Sequence, residues 1–254
     1  MHRVKILGQR KTRKIPEGWH ELRARPLVFC INMLLMEPDP YTAKLLILSS
    51  FLKIPVEDLQ NIPPEALVDL LRLMEWMDIK YLTSPIFPVI KWKGKKWQLP
   101  GEKFDLGSGF QYAAADDFFT NYQEKQDEKE LDKLIAALLY TDTPLNKIAD
   151  VEKNADLFTK LPDLYRLSIV AYFNGIKQFI YNTYGEWIFK SEGSDSLELG
   201  VNFRWWGTFL EIAKSGVFGS IREVYATRFH DLCVFLVQEK ELYLAEKRKI
   251  KEKK

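Results

Sequence analysis

The stretch FDLGSGFQYAAADDFFTNYQEKQDEKELDKLIAALLY, residues 104–140, decides the fold class. Its apolar residues recur at helical spacing in two runs. The runs predict one helix over 108–123 and a second over 128–140, packed as a pair on one side of a core. The Lys/Glu-rich junction between them, EKQDEKELDK, suits an exposed face with local ion pairs.

The same periodicity extends outward in both directions. In IPEGWHELRARPLVFCINMLLM, Pro26 suits a first helical turn. Leu27, Cys30, Ile31, Leu34 and Leu35 then share one helical face. Asp39 is placed to cap the next helix with Pro40 at its first position. A short helical turn over 56–61 and a helix from Pro63 follow, with Leu67, Leu70, Leu71 and Met74 as the buried stripe. RVKIL near the start reads as a short strand. In PVIKWKGKKWQLPG, alternating apolar residues flank Lys93-Gly94 and predict a β-hairpin with Trp92 and Trp97 as cross-strand neighbours. These two rings are expected to pack on an adjoining helix, or to grip a partner.

Downstream, a long helix is predicted over 162–183, with a stripe of Leu164, Leu167, Ile169, Val170, Phe173, Ile176 and Ile180. KSEGSDSLELG, residues 190–200, is the clearest linker. NFRWWGTFLEIAKSGVFGSIREVY, residues 202–225, then presents Phe203, Trp206, Phe209, Leu210 and Ala213 at helical spacing. Gly216 and Gly219 turn the chain, and one final helix is predicted over 220–248. Ile221, Val224, Tyr225, Leu232, Phe235, Leu236, Leu242 and Tyr243 carry its rhythm. The expected fold is mainly α: a multi-helix bundle with a small β-hairpin insertion. It is read as one domain of two helical lobes, about 16–140 and 160–248.

Composition sets further bounds. The 254 residues, 46% hydrophobic and 28% charged, suit a globular chain with a substantial core. The net charge of +2 is unevenly spread: residues 1–14 carry six basic side chains and no acid, and 247–254 carry six against one acid. The ends therefore hold +11 and the span 15–246 is −9. These ends are expected to be flexible, and with the lysine-tipped aromatic hairpin they are the features that suit nucleic acid. The two cysteines, Cys30 and Cys233, fall in apolar helical patterns and read as buried thiols of a reducing compartment. No apolar run approaches the roughly 20 residues that span a bilayer. The expected location is the cytoplasm, with no membrane partner.

No motif carries a reaction. His230 and Cys233, three apart on one helix, are the nearest approach to a metal pair, and the chain has no HExxH. Neither SGFQ nor GSIRE matches the GxSxG of a nucleophile elbow. LGSGF, at 106–110, reads as a tight helix entry rather than a phosphate loop. Asp116 and Asp117 are adjacent, point about 100° apart on a helix, and read as a solvated face. No catalytic, cofactor or metal residue is assigned. The candidate partner-binding residues are Trp92, Trp97, Trp205 and Trp206, because tryptophan is enriched at interface hot spots.

Four segments carry a resemblance: IPEGWHEL, IPVEDLQNIPPEAL, the 104–140 stretch, and WWGTFLEIAKSGVFGSIREVY. Together they resemble small helical proteins of tailed bacteriophages and prophages that are similar to tail assembly chaperones. That resemblance implies a non-enzymatic protein-binding factor of the bacterial host cytoplasm. Its partner would be a long helical tail protein, or the chain itself by self-association. A phage structural or connector protein, and a nucleic-acid-associated protein using the basic ends, are the alternatives.

Overall fold

The computed structural model describes residues 1–5, 12–37, 39–78, 82–188 and 204–252. The expected linker at 190–200, Phe203, the end of the RVKIL strand and the last two lysines lie outside them. The architecture is mainly α, with eleven α-helices and two small antiparallel hairpins among the described residues. The residues group into two units that cut across the expected lobes. Unit 1 is 1–82 with 162–175, and unit 2 is 83–161 with 176–254.

Unit 1 begins with β1 (His2–Val4) paired to β2 (Arg13–Ile15), His2 opposite Ile15. The sequence suggested the first strand but not the second. Four helices follow: α1 (Ala24–Met36), α2 (Pro40–Leu52), α3 (Val56–Leu59) and α4 (Pro64–Arg72). Asp39 caps α2 as expected, accepting from Tyr41 N at 3.2 Å, Thr42 N at 3.0 Å and Thr42 Oγ1 at 2.6 Å. The core gathers Ile15, Cys30, Ile47, Leu48, Leu52, Leu59, Met74 and Met77. Leu67, Leu70 and Leu71 of α4 are only half-buried at its edge. Trp76 is fixed by Trp19, edge to face at 5.2 Å, and its indole N–H donates to Pro16 O at 2.9 Å.

Unit 2 opens with the predicted hairpin, β3 (Val89–Trp92) and β4 (Lys95–Gln98). Lys93 and Gly94 both take positive φ, 47° and 75°, the two-residue turn whose twist suits a hairpin. The register refines one expectation: Trp97 faces Ile90 and Trp92 faces Lys95, so the two tryptophans are diagonal neighbours across the strands and not directly opposite. Next come α5 (Gly109–Lys125) and α6 (Glu128–Leu138), the pair that the 104–140 stretch predicts. Ala113, Ala114 and Ala115 on α5 and Ala136 and Ala137 on α6 are all fully buried. Small side chains at those places bring helix axes close.

Helix α7 (Ile148–Phe158) was not foreseen, because IADVEKNADLF follows a proline-containing turn and is short. Helix α8 runs Asp163–Ile188, five residues beyond its predicted end, and contributes to both units. Helix α9 (Arg204–Ser215) buries Trp205, Phe209 and Ile212. The expected stripe was offset: Leu210 is 47% exposed. Gly216 and Gly219, at φ 75° and 80°, make the turn.

The predicted final helix is broken in two, α10 (Ile221–Ala226) and α11 (Phe229–Glu252). The break has a tertiary cause. Thr227 O accepts from Gly109 N at 2.9 Å, and Phe229 N donates to Gly107 O at 2.9 Å. These bonds join 227–229 to the entry loop of α5 as an isolated β-bridge between Ser108 and Arg228.

Gln111 ties α5 to α6 and is fully buried. Its backbone N–H donates to Ser108 Oγ at 3.2 Å, and its side-chain oxygen accepts from Ser108 N at 3.3 Å, closing a capping box. Its amide nitrogen reaches the last carbonyls of α6, Ala137 O at 3.3 Å and Leu138 O at 3.4 Å. Replacing it by leucine removes half the cap and leaves buried carbonyls unanswered. Gln111→Leu is expected to lower the unfolding free energy by about 2–4 kcal/mol, read as a reduced urea midpoint at unchanged slope.

Candidate functional site

The four candidate tryptophans are places where the chain holds itself. Trp97 is 5% exposed and meets Phe158 of α7 edge to face at 4.9 Å. Its indole N–H donates to Trp92 O at 3.2 Å. Trp92 is half-buried and donates to Leu157 O at 2.8 Å, so both rings dock the hairpin on α7. This is the adjoining-helix packing of the first reading, with a helix that the sequence did not reveal.

Trp205, 6% exposed, packs on Phe229 at 4.9 Å and Tyr112 at 5.4 Å. Tyr112 and Phe229 stack at 3.7 Å and 10°. Burial pushes the Tyr112 hydroxyl well up, and the nearby Asp116 charge adds to the effect. Trp206, half-buried, meets Phe110 at 5.6 Å and Tyr225 at 5.5 Å. Its indole N–H donates to Asp117 Oδ2 at 2.5 Å.

The seam is rimmed by charges, which corrects the solvated reading of the acidic pair. Asp116 pairs with Lys177 of α8 at 2.6 Å, and Asp117 pairs with Arg204 of α9 at 3.3 Å. Adjacent on α5, the two carboxylates face different partners and serve different helices. A cavity of about 280 Å³ lies here, lined by Asp116, Ile188, Arg204, Trp205 and Thr208. Acid and base neutralise each other around it.

LGSGF is a packing device. A side chain at Gly107 would run into the Phe104 ring, and one at Gly109 would come 2.7 Å from Leu232. The entry-turn amides are taken by Thr227 O and Ser108 Oγ. His230 is equally occupied: Nε2 lies 2.6 Å from Lys103 O and Nδ1 lies 3.0 Å from the Tyr184 hydroxyl. The carbonyl can only accept, so Nε2 carries a proton, and the tyrosine hydroxyl is the partner of Nδ1. Cys233 on the same helix is fully buried, and both nitrogens of His230 already have partners.

Two surface features remain. A groove of about 520 Å³ is lined by Asn146, Lys147, Ile221, Arg222 and Tyr225. The far half of α11 exposes apolar side chains: Leu242, Tyr243 and Ile250 are 62%, 60% and 61% exposed. The groove joins residues some 75 positions apart, and no local motif announces it. Leu242 and Tyr243 fitted the helical rhythm, but periodicity does not say where a core ends. No helix among the described residues is long and apolar enough to cross a membrane.

Both thiols are free and fully buried, and burial pushes Cys30 up to about 12 and Cys233 higher still. An aromatic disulfide reagent at neutral pH is expected to label neither in the folded chain and both in urea. One equivalent before denaturation would identify a unit that opens on its own.

No family model, no curated protein and no solved structure matches this chain.

Proposed function

We propose that this chain is a non-enzymatic protein-binding factor that docks an amphipathic helix. In the form its resemblance implies, it is a tail assembly chaperone for a long helical tail protein in the host cytoplasm. The observation that carries the reading is the course of α11. Phe229, Leu232, Leu236, Tyr243 and Ile250 fall within an arc of about 60° at about 100° per residue. Phe229 and Leu232 are 0% exposed, whereas Tyr243 and Ile250 are 60% and 61% exposed. One face thus begins in the core and runs out beyond it.

Charges border that face. Glu239 and Glu246 lie on one edge, and Lys240 and Lys247 on the other, each within about 70° of its centre. Lys247 Nζ sits 5.8 Å from the Tyr243 ring. An apolar stripe between an acidic and a basic edge suits a partner helix with the opposite edges. Such edges select orientation more than they add affinity. Helix-on-helix docking of this kind needs no cofactor.

The test is affinity capture from a phage-producing host with the wild-type chain and with Tyr243→Glu/Ile250→Glu, under nuclease, read by mass spectrometry. Both positions are exposed, so the melting temperature is expected to hold. A protein with a long helical tract should be recovered by the wild type and depleted about tenfold or more by the variant. Equal recovery by both overturns the reading. Material that vanishes with nuclease or high salt favours the basic ends instead, and recovery of finished virion proteins favours a structural role.

A further inference from the structure

We infer that the groove between the start of α7 and helix α10 binds a phosphate group carried on a ring-bearing small molecule of about mononucleotide size. This stands apart from the docking face of α11. The groove's volume, about 520 Å³, lies in the range of small-molecule sites. Among the described lining residues two are cations, Lys147 and Arg222, and none is an acid.

Neither cation has a side-chain hydrogen bond or an ion pair among the described residues, and both are exposed. Two uncompensated positive charges facing one concavity raise its potential and draw anions in. Glu223, next to Arg222 on α10, is already engaged. Its carboxylate accepts from Ser220 N at 2.7 Å and Ser220 Oγ at 2.8 Å, closing the cap of that helix.

The backbone adds to the same sign. Lys147 is the N-cap residue of α7 and makes no side-chain cap, so the first two amides of this eleven-residue helix meet no side-chain acceptor there, while Asp150 N goes to Lys147 O at 3.2 Å and the Asp150 carboxylate in the same turn offsets part of the helix-end field. Asn146 and the Tyr225 hydroxyl supply neutral donors. The Tyr225 ring is wedged by Trp206 at 5.5 Å, Phe110 at 6.0 Å and Phe209 at 6.2 Å, so one wall is fixed. Ile221 and that ring give an apolar surface for the organic part of a ligand. Arginine's fork matches two phosphate oxygens, and lysine adds a point charge for the second negative charge of a phosphomonoester. The volume exceeds what inorganic phosphate fills, which favours a ligand with a body.

The test is titration calorimetry of the full chain with inorganic phosphate, a ribonucleoside monophosphate and the matching nucleoside, at low and high salt. The monophosphate is expected to bind, phosphate more weakly, and the nucleoside not measurably. Lys147→Glu/Arg222→Glu should weaken the monophosphate about tenfold or more while the melting temperature holds. Arg222→Lys should restore part of the binding, which separates charge from the fork. Failure of both phosphate and monophosphate to bind at millimolar concentration overturns the proposal, as does equal binding by the nucleoside. Binding that survives the double reversal locates the phosphate elsewhere, for example at the basic ends, and also overturns it.

Discussion

A buried side-chain amide has two donors and a two-lone-pair oxygen to satisfy, and burying it unpaired costs more than any one bond returns. Gln111 meets that constraint by standing between two helix ends. Its oxygen closes the start of α5, and its nitrogen closes the finish of α6. Helix ends are where backbone groups lack partners. One residue therefore sets the register of the most closely packed helix pair in unit 2. The alanines on either side permit the approach, and the amide fixes where along the axes it occurs. The seam beyond depends on this placement, because Phe110 and Tyr112 flank Gln111 and meet the α9–α11 rings.

Tryptophan is a poor guide to function when read from sequence alone. Its size favours interfaces and cores alike. Here the indole N–H groups of Trp76, Trp92 and Trp97 go to backbone oxygens, and that of Trp206 goes to a carboxylate. Those of Trp76, Trp92 and Trp206 thereby tie a loop, hairpin or helix to a neighbour far away in the chain, and that of Trp97 closes the hairpin itself. The more exposed chemistry lies on plainer residues, such as Lys147, Arg222, Tyr243 and Ile250.

Much of the fold was legible because helices announce themselves locally. The α5–α6 pair, the Asp39-Pro40 start of α2 and the Lys93-Gly94 turn follow from capping, periodicity and positive φ. What escaped notice was decided at a distance. The break at Thr227 answers the carbonyl and amide of a loop near Gly107, and nothing within 220–248 requires it. Strand β2 exists because β1 pairs with it. The hairpin register set Trp97 against Ile90. The groove is likewise a meeting of a loop and a helix that share no pattern. Of the candidate site, the sequence identified the aromatic residues and could not sort buried from exposed among them.

The Ser108–Arg228 bridge also bears on how the chain is made. Its two halves leave the ribosome about 120 residues apart, and each unit is assembled from two separated segments, the later ones beginning at residues 162 and 176. During synthesis the loop at 107–109 must wait, with its amide and carbonyl facing water, until residues 227–229 have emerged. Domains whose contacts close late expose their apolar surface longest. The order of translation thus leaves the α5 entry loop and the ring of Tyr112 in need of shelter until the second segment of unit 2 is made. The arrival of Phe229 is the event that ends that exposure.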